Sequence, residues 1–168
     1  MTQFREMRRK TQQLSQADSV AVLERATSGT LAVLGDDGYP YAVPLSYVYA
    51  DGKLFFHSAL AGHKVDAIRQ CDKASFCVVD ADEVHPDEFT TYFRSVIAFG
   101  RVRIVDDPAE KREAARRLGA RYNPGDEPAL ERELDKGLAH MHVIEFSIEY
   151  LTGKQAIELT RKHNITHD

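Results

Sequence analysis

Between positions 30 and 58 the chain carries three strand-like runs joined by nothing longer than a tight turn. Residues 30–34 are rich in β-formers, Asp36-Asp37-Gly38 supplies turn chemistry, residues 39–49 read as the return strand, Asp51-Gly52 makes a second turn, and residues 53–58 form a third strand. Asp-Gly pairs accept the positive φ that short hairpin turns require. Turns this short force antiparallel neighbours, because a parallel pair needs a crossover of about a dozen residues or more. Three further strand signals follow at residues 74–80 (ASFCVVD), 89–105 (FTTYFRSVIAFGRVRIV) and 140–152 (HMHVIEFSIEYLT), with an acidic loop expected over residues 81–88. The near-continuous apolar run 74–80 predicts burial on both faces. Gly100, inside the longest run, marks a bulge or sharp bend.

Helical patterns open at Ser15, at His63 or Lys64, at Pro108 behind an Asp106 or Asp107 cap, and at Pro128. Strand follows strand more often than helix, so a doubly wound parallel sheet lacks its required alternation. The expectation is a mainly β (α+β) fold, a small six-stranded antiparallel β-barrel with peripheral helices.

At 168 residues the chain suits one domain, 15–154, between a basic N-terminal arm, 1–14, and a polar C-terminal tail, 155–168, expected to be loosely ordered. The net charge of -4 argues against nucleic-acid binding. No apolar run approaches the ~18–20 residues that span a membrane, and the basic start lacks the apolar stretch of a signal peptide. Cys71 and Cys77 match neither a redox pair nor a zinc ribbon. With no export signal they suggest a reducing cytoplasm. His140 and His142 share a face of the expected last strand but find no third ligand at a recognisable spacing, so no metal is expected.

Residues 54–68, LFFHSALAGHKVDAI, read as a strand, a small-residue turn and a helix start. Free backbone N–H groups and the helix dipole point outward at such a corner, which makes it an anion site. Lys64 adds a full charge there and Ser58 a hydroxyl. A cation at a helix N-terminus opposes the dipole, and it is better accommodated with an anion between. His57 and His63 flank the same corner. The neighbouring run 39–49 holds Pro40 and Pro44, each removing a ladder donor. It is either a plain edge strand or one whose free backbone groups pair with the polar edge of a flat heterocycle. Signatures for dinucleotide Rossmann, P-loop, serine-hydrolase and zincin sites are missing.

The ordered segments GTLAVLGDDGYPYAVPLSYVY, LFFHSALAGHKVDAI, YFRSVIAFGRV and LTGK, with the basic start MRRK, resemble the flavin-binding split-barrel proteins related to pyridoxamine 5'-phosphate oxidase. Within them the chain is similar to the nitroimidazole-resistance (Nim-type) group. The resemblance implies a split β-barrel homodimer with FMN at the subunit interface. By position, Val43, Pro44, Leu45 and Ser46 would line the isoalloxazine. His57, Ser58, His63 and Lys64 would hold the ribityl phosphate region, and Ser95, Val96 and Ile97 would complete the pocket, from the same or the second subunit. It further implies an FMN-dependent oxidoreductase reducing a nitroaromatic (5-nitroimidazole-like) or related small molecule, with His63 or His57 as the substrate-contacting, catalytic histidine. The alternatives are a non-catalytic flavin or haem carrier on the same barrel and a pyridoxamine 5'-phosphate oxidase-like oxidase. Arg161 and His163 do not convincingly match the substrate contacts of the last.

Overall fold

The computed structural model describes residues 4–160. Seven strands form one wholly antiparallel sheet: β1 (Ser28–Leu34), β2 (Pro40–Ser46), β3 (Val48–Ala50), β4 (Lys53–Ser58), β5 (Lys73–His85), β6 (Thr90–Ile104) and β7 (His142–Gln155). Helices α1 (Gln16–Arg25), α2 (His63–Gln70), α3 (Pro108–Tyr122) and α4 (Glu127–Gly137) accompany it. The strand order is β2-β1-β5-β6-β7-β4-β3, so β2 and β3, adjacent in sequence, are the two opposite edges.

The count of seven, not six, comes from the proline-bearing run, which divides at Tyr47. That residue is fully buried, its hydroxyl donates to Leu23 O at 2.8 Å, and its N–H donates to the Tyr122 hydroxyl at 3.0 Å. With its amide held by α3, Tyr47 leaves the ladder and the chain crosses from one sheet edge to the other. The edge position of β2 agrees with its two prolines.

The acidic stretch expected as a loop is instead the outer half of a long hairpin. Residues Ala81 to His85 pair with Arg94 to Thr90 beyond a register shift at Val79/Ala81. Acidic residues are tolerated there because the ladder needs only backbone groups and most of these side chains are exposed. Nor is the 74–80 run buried on both faces: Phe76 and Val78 are fully buried, whereas Val79 is 63% exposed. The sheet therefore presents one face to the core and leaves another partly open.

That outer face has a definite composition. One cross-strand row runs Pro44–Thr30–Cys77–Ile97–Thr152, and residues directly opposite share a face. The adjacent row, Val43–Leu31–Phe76–Ala98–Leu151, faces the main core. β6 alternates as its sequence suggests, with Val96 and Ala98 buried and Ile97 and Phe99 each 40% exposed.

The main core packs α1 and α2 against the sheet around Val22, Leu23, Phe56, Phe76 and Phe146. A second cluster joins α3 and α4 to Phe55 of β4 and Val143 of β7. β4 is thus buried on both faces, and each fully buried aromatic or aliphatic side chain contributes about 1.5–3 kcal/mol. Caps fall where the sequence puts them. Ser15 Oγ accepts from Asp18 N at 3.0 Å, and Asp107 Oδ1 accepts from Ala109 N and Glu110 N at 3.0 and 2.8 Å.

The described part of the arm is tied down. Phe4 stacks on Tyr150 with centroids 5.0 Å apart, and Leu14 N–H donates to Gly153 O at 2.9 Å. At the other end Gln155 belongs to β7, and Ala156 is 1% exposed. The start of the tail is therefore packed, not loose. Arg161 and His163 lie outside the described residues. Among the described residues no helix is long and apolar enough to cross a membrane.

Candidate functional site

The strand–turn–helix corner forms as its residues dictate. Gly62 is the N-cap of α2 with φ +131°, a conformation side-chain-bearing residues rarely adopt. No side chain caps this end. Val65 N and Asp66 N donate to Gly62 O at 2.9 and 3.1 Å, whereas the amides of His63 and Lys64 meet no protein acceptor among the described residues. Two donors and the positive end of the helix dipole are left for an outside acceptor. Lys64 is half-buried and pairs with no carboxylate among the described residues.

The remaining residues of the corner take different roles. Ser58 is 5% exposed, and its hydroxyl donates to Ala59 O at 3.1 Å, so its one proton is already engaged. His63 turns to the β1–β2 connection: its Nε2 accepts from Asp36 N at 3.3 Å, and its ring stacks on Tyr41 with centroids 4.1 Å apart. An Nε2 that accepts leaves Nδ1 as the donor nitrogen of the neutral ring. His57 is exposed and lines a separate cavity.

That cavity, about 660 Å³, lies between the α3–α4 pair and the strands that carry Ser46 and His57. Its apolar lining includes Leu118, Leu130, Leu134 and Met141; its polar lining includes Tyr122, Asn123, Asp126 and Glu133. The sequence expectations gave these helix residues no part in a site. The signal was present in Leu130 and Leu134, one helical turn apart behind an Asn-Pro-Gly-Asp turn. His140 and His142 do not share a strand face, since His140 sits in the 3-10 turn that precedes β7.

On β2, Val43 and Leu45 pack toward the core while Pro44 and Ser46 are exposed along the free edge. Val96 is 1% exposed in the main core, so its side chain is not available to a ligand. Ser95 and Ile97 are on the outer face, where Ile97 is three strands from Pro44 in one row. At about 4.8 Å per strand this is roughly 14 Å, and one protomer does not bring them into one pocket.

Two carboxylates, the half-buried Asp80 and the buried Glu145, lie away from this corner. Arg25 and, more weakly, Arg94 hydrogen-bond Asp80 and hold its carboxyl below the usual aspartate range against the effect of burial. Burial pushes Glu145 up, but hydrogen bonds from Arg103 and Lys53 outweigh it and keep the group below its ordinary value. Both join neighbouring elements, and neither faces the 660 Å³ cavity.

These features define a mainly β protein with helices packed on a wholly antiparallel sheet and an uncapped strand–helix corner beside a free sheet edge. The chain belongs to the pyridoxamine 5'-phosphate oxidase family, whose family model matches residues 15–155. No curated protein sequence matches it. Among solved structures it is similar to a candidate 5-nitroimidazole antibiotic resistance protein from Bacteroides thetaiotaomicron (19% identity, TM-score 0.69, 85% of this chain and 86% of that one). It is also similar to the flavocytochrome Anf3 from Azotobacter vinelandii (21% identity, TM-score 0.78, 90% and 72%). A third similar structure is an FAD-binding protein from Mesorhizobium loti (25% identity, TM-score 0.61, 86% and 96%).

Proposed function

We propose that the protein is an FMN-dependent oxidoreductase that acts as a homodimer and reduces a nitroaromatic or related small acceptor. The observation that carries this reading is the pair of unpartnered amides at His63 and Lys64, beside an uncapped helix start and the Lys64 ammonium. Such a donor set fits the dianionic phosphate of a mononucleotide. In this reading the ring lies along the free edge of β2 near Pro44 and Ser46, and His57 stands at its far side toward the cavity. The bound flavin supplies the redox chemistry, while the protein orients it and excludes water. Ser95 and Ile97 of one protomer face the flavin held by the partner, and their distance from β2 within one chain supports that arrangement. The sheet curls into a split barrel, with residues 15–154 as the domain and residues 1–14 as an arm. The reading places the protein in the cytoplasm, where Cys71 and Cys77 stay thiols. Family membership and the flavin named in two structural relatives support it.

The test is the visible spectrum of purified protein, before and after addition of FMN, followed by NADH or NADPH and a 5-nitroimidazole. Flavin absorbance that bleaches on reduction and returns with the acceptor is the expected result. Lys64→Ala raises the FMN dissociation constant at least tenfold. A colourless protein that takes up no FMN overturns the proposal. A second reading, a haem carrier with exposed His57 as the iron ligand, predicts a Soret band on haem addition that His57→Ala abolishes.

A further inference from the structure

We infer that the 660 Å³ cavity between α3–α4 and the strands bearing Ser46 and His57 binds a largely apolar small molecule that is neutral or cationic, and rejects anions. The inference deepens the flavoprotein reading by giving the class of its acceptor. It rests on that reading only for the chemistry; the binding claim stands on the cavity.

The cavity has the size of a pocket that takes a molecule of two or three rings, within the range of about 300–1,000 Å³ usual for ligand sites. Its apolar wall comes from helix faces that also form the second core cluster, so it is built on a packed scaffold. Leu130 and Leu134 are 9% and 4% exposed. The same helix pair and its connection also supply polar groups, Tyr122, Asn123, Asp126 and Glu133, with which a bound molecule can hydrogen-bond.

Charge then selects the ligand. Among the lining residues there is no lysine or arginine, whereas Asp126 and Glu133 are both acidic. The arginines of α3 are engaged elsewhere. Arg112 binds Glu131 and Asp135, Arg116 binds Glu127 and Glu131, and Arg117 binds Asp51 and Glu113. Asp126 caps α4 by accepting from Ala129 N at 2.9 Å. Glu133 has only Lys136, at 3.6 Å, with both side chains about three-quarters exposed. An entering anion meets two carboxylates and no lysine or arginine in the lining, with only the exposed Lys136 beside Glu133, while a cation or a neutral ring meets no such repulsion. The anion-accepting corner at Lys64 and this cavity therefore demand ligands of opposite character.

The probes are three naphthalenes of one shape: 2-naphthylmethylammonium, 2-naphthylmethanol and 2-naphthoate. The chain has no tryptophan, so naphthyl fluorescence is read against tyrosine alone. The full-length protein binds the cation and the alcohol, and binds the carboxylate at least tenfold more weakly. Glu133→Lys, a change at an exposed position, removes or reverses the preference for cation over anion. Ala129→Phe, which places a ring in the cavity, weakens the cation and the alcohol tenfold or more while its far-UV spectrum and melting temperature show a folded protein. Equal affinity for cation and anion in the wild type, an order unchanged by Glu133→Lys, or affinities unchanged by Ala129→Phe in the folded variant each overturn the inference. FMN affinity is measured on the same samples, so the two readings fail separately: FMN can bind while the probe order is reversed, and the probes can bind to protein that takes no FMN.

Discussion

The hydroxyl of Tyr122, the last residue of α3, accepts a hydrogen bond from the backbone N–H of Tyr47, 3.0 Å away. The same oxygen lies within reach of the carbonyls of Tyr47 and Thr27, to which it offers its single proton. One phenol thereby satisfies backbone groups at the point where the chain leaves one sheet edge for the other.

Tyr122→Phe removes this acceptor and leaves the amide of the buried Tyr47 with only the longer contact to Thr27 O at 3.3 Å. The expected loss is about 1–2 kcal/mol, read as a lower urea midpoint at unchanged m-value. An unchanged midpoint would show that the clamp contributes nothing.

Gly100→Ala is the severe backbone test. A Cβ at this position would lie 2.0 Å from Ser147 O, at the register shift between Phe99 and Gly100. The obstacle is backbone of β7, which has no rotamer with which to retreat. A cost of about 3 kcal/mol is expected, against less than about 0.5 kcal/mol for an exposed control such as Glu24→Ala. Thermal melts of the two variants side by side decide it.

Asp80 sets an acid limb. Its folded-state pKa lies below the ordinary aspartate value of 3.8 because Arg25 and Arg94 favour the carboxylate. A depressed carboxyl contributes stability that is present above the unfolded value and is lost as pH falls through the folded one. Arg25 is 46% exposed, so the contribution is about 1 kcal/mol. Asp80→Asn therefore lowers the melting temperature at pH 7 and converges on the wild type only as pH falls below the depressed folded-state value. A gap that stays constant with pH refutes the assignment.

The two histidines separate by experiment. His63→Ala removes the stack on Tyr41 and the acceptor for Asp36 N, costing about 1 kcal/mol. Under the proposed function it also loosens the corner that would hold the FMN phosphate, so affinity for FMN falls with stability. His57→Ala changes stability by less than about 0.5 kcal/mol, and its effect appears as a raised KM for the acceptor. If the His57 variant instead loses FMN and the His63 variant does not, the two roles are exchanged.

Local chemistry made much of this molecule legible from its residues. Asp37, Gly38, Asp51 and Gly52 all take the positive φ that their turn sequences imply. Ser15 and Asp107 cap the helices they precede. The edge position of β2 follows from Pro40 and Pro44. What stayed hidden depends on partners distant in sequence. The break at Tyr47 is made by Leu23 and Tyr122. Residues 81–85 extend β5 only because Thr90 to Arg94 lie opposite. The corner at Gly62 was readable because strand, glycine turn and helix start are contiguous. The α3–α4 cavity was not, because its walls meet only in three dimensions. His63, expected at a ligand, also proved to be a prop for the β1–β2 connection.

The pairing of β4 has a consequence for synthesis. Among the described residues its partners in the sheet are the short β3 and the late strand β7. During translation Leu54, Phe55 and Phe56 emerge early, and their permanent mate leaves the ribosome almost last. A nascent chain halted before His142 therefore carries a sticky, unsatisfied hydrophobic strand, and chaperones should engage such intermediates until the final segment zips the sheet shut.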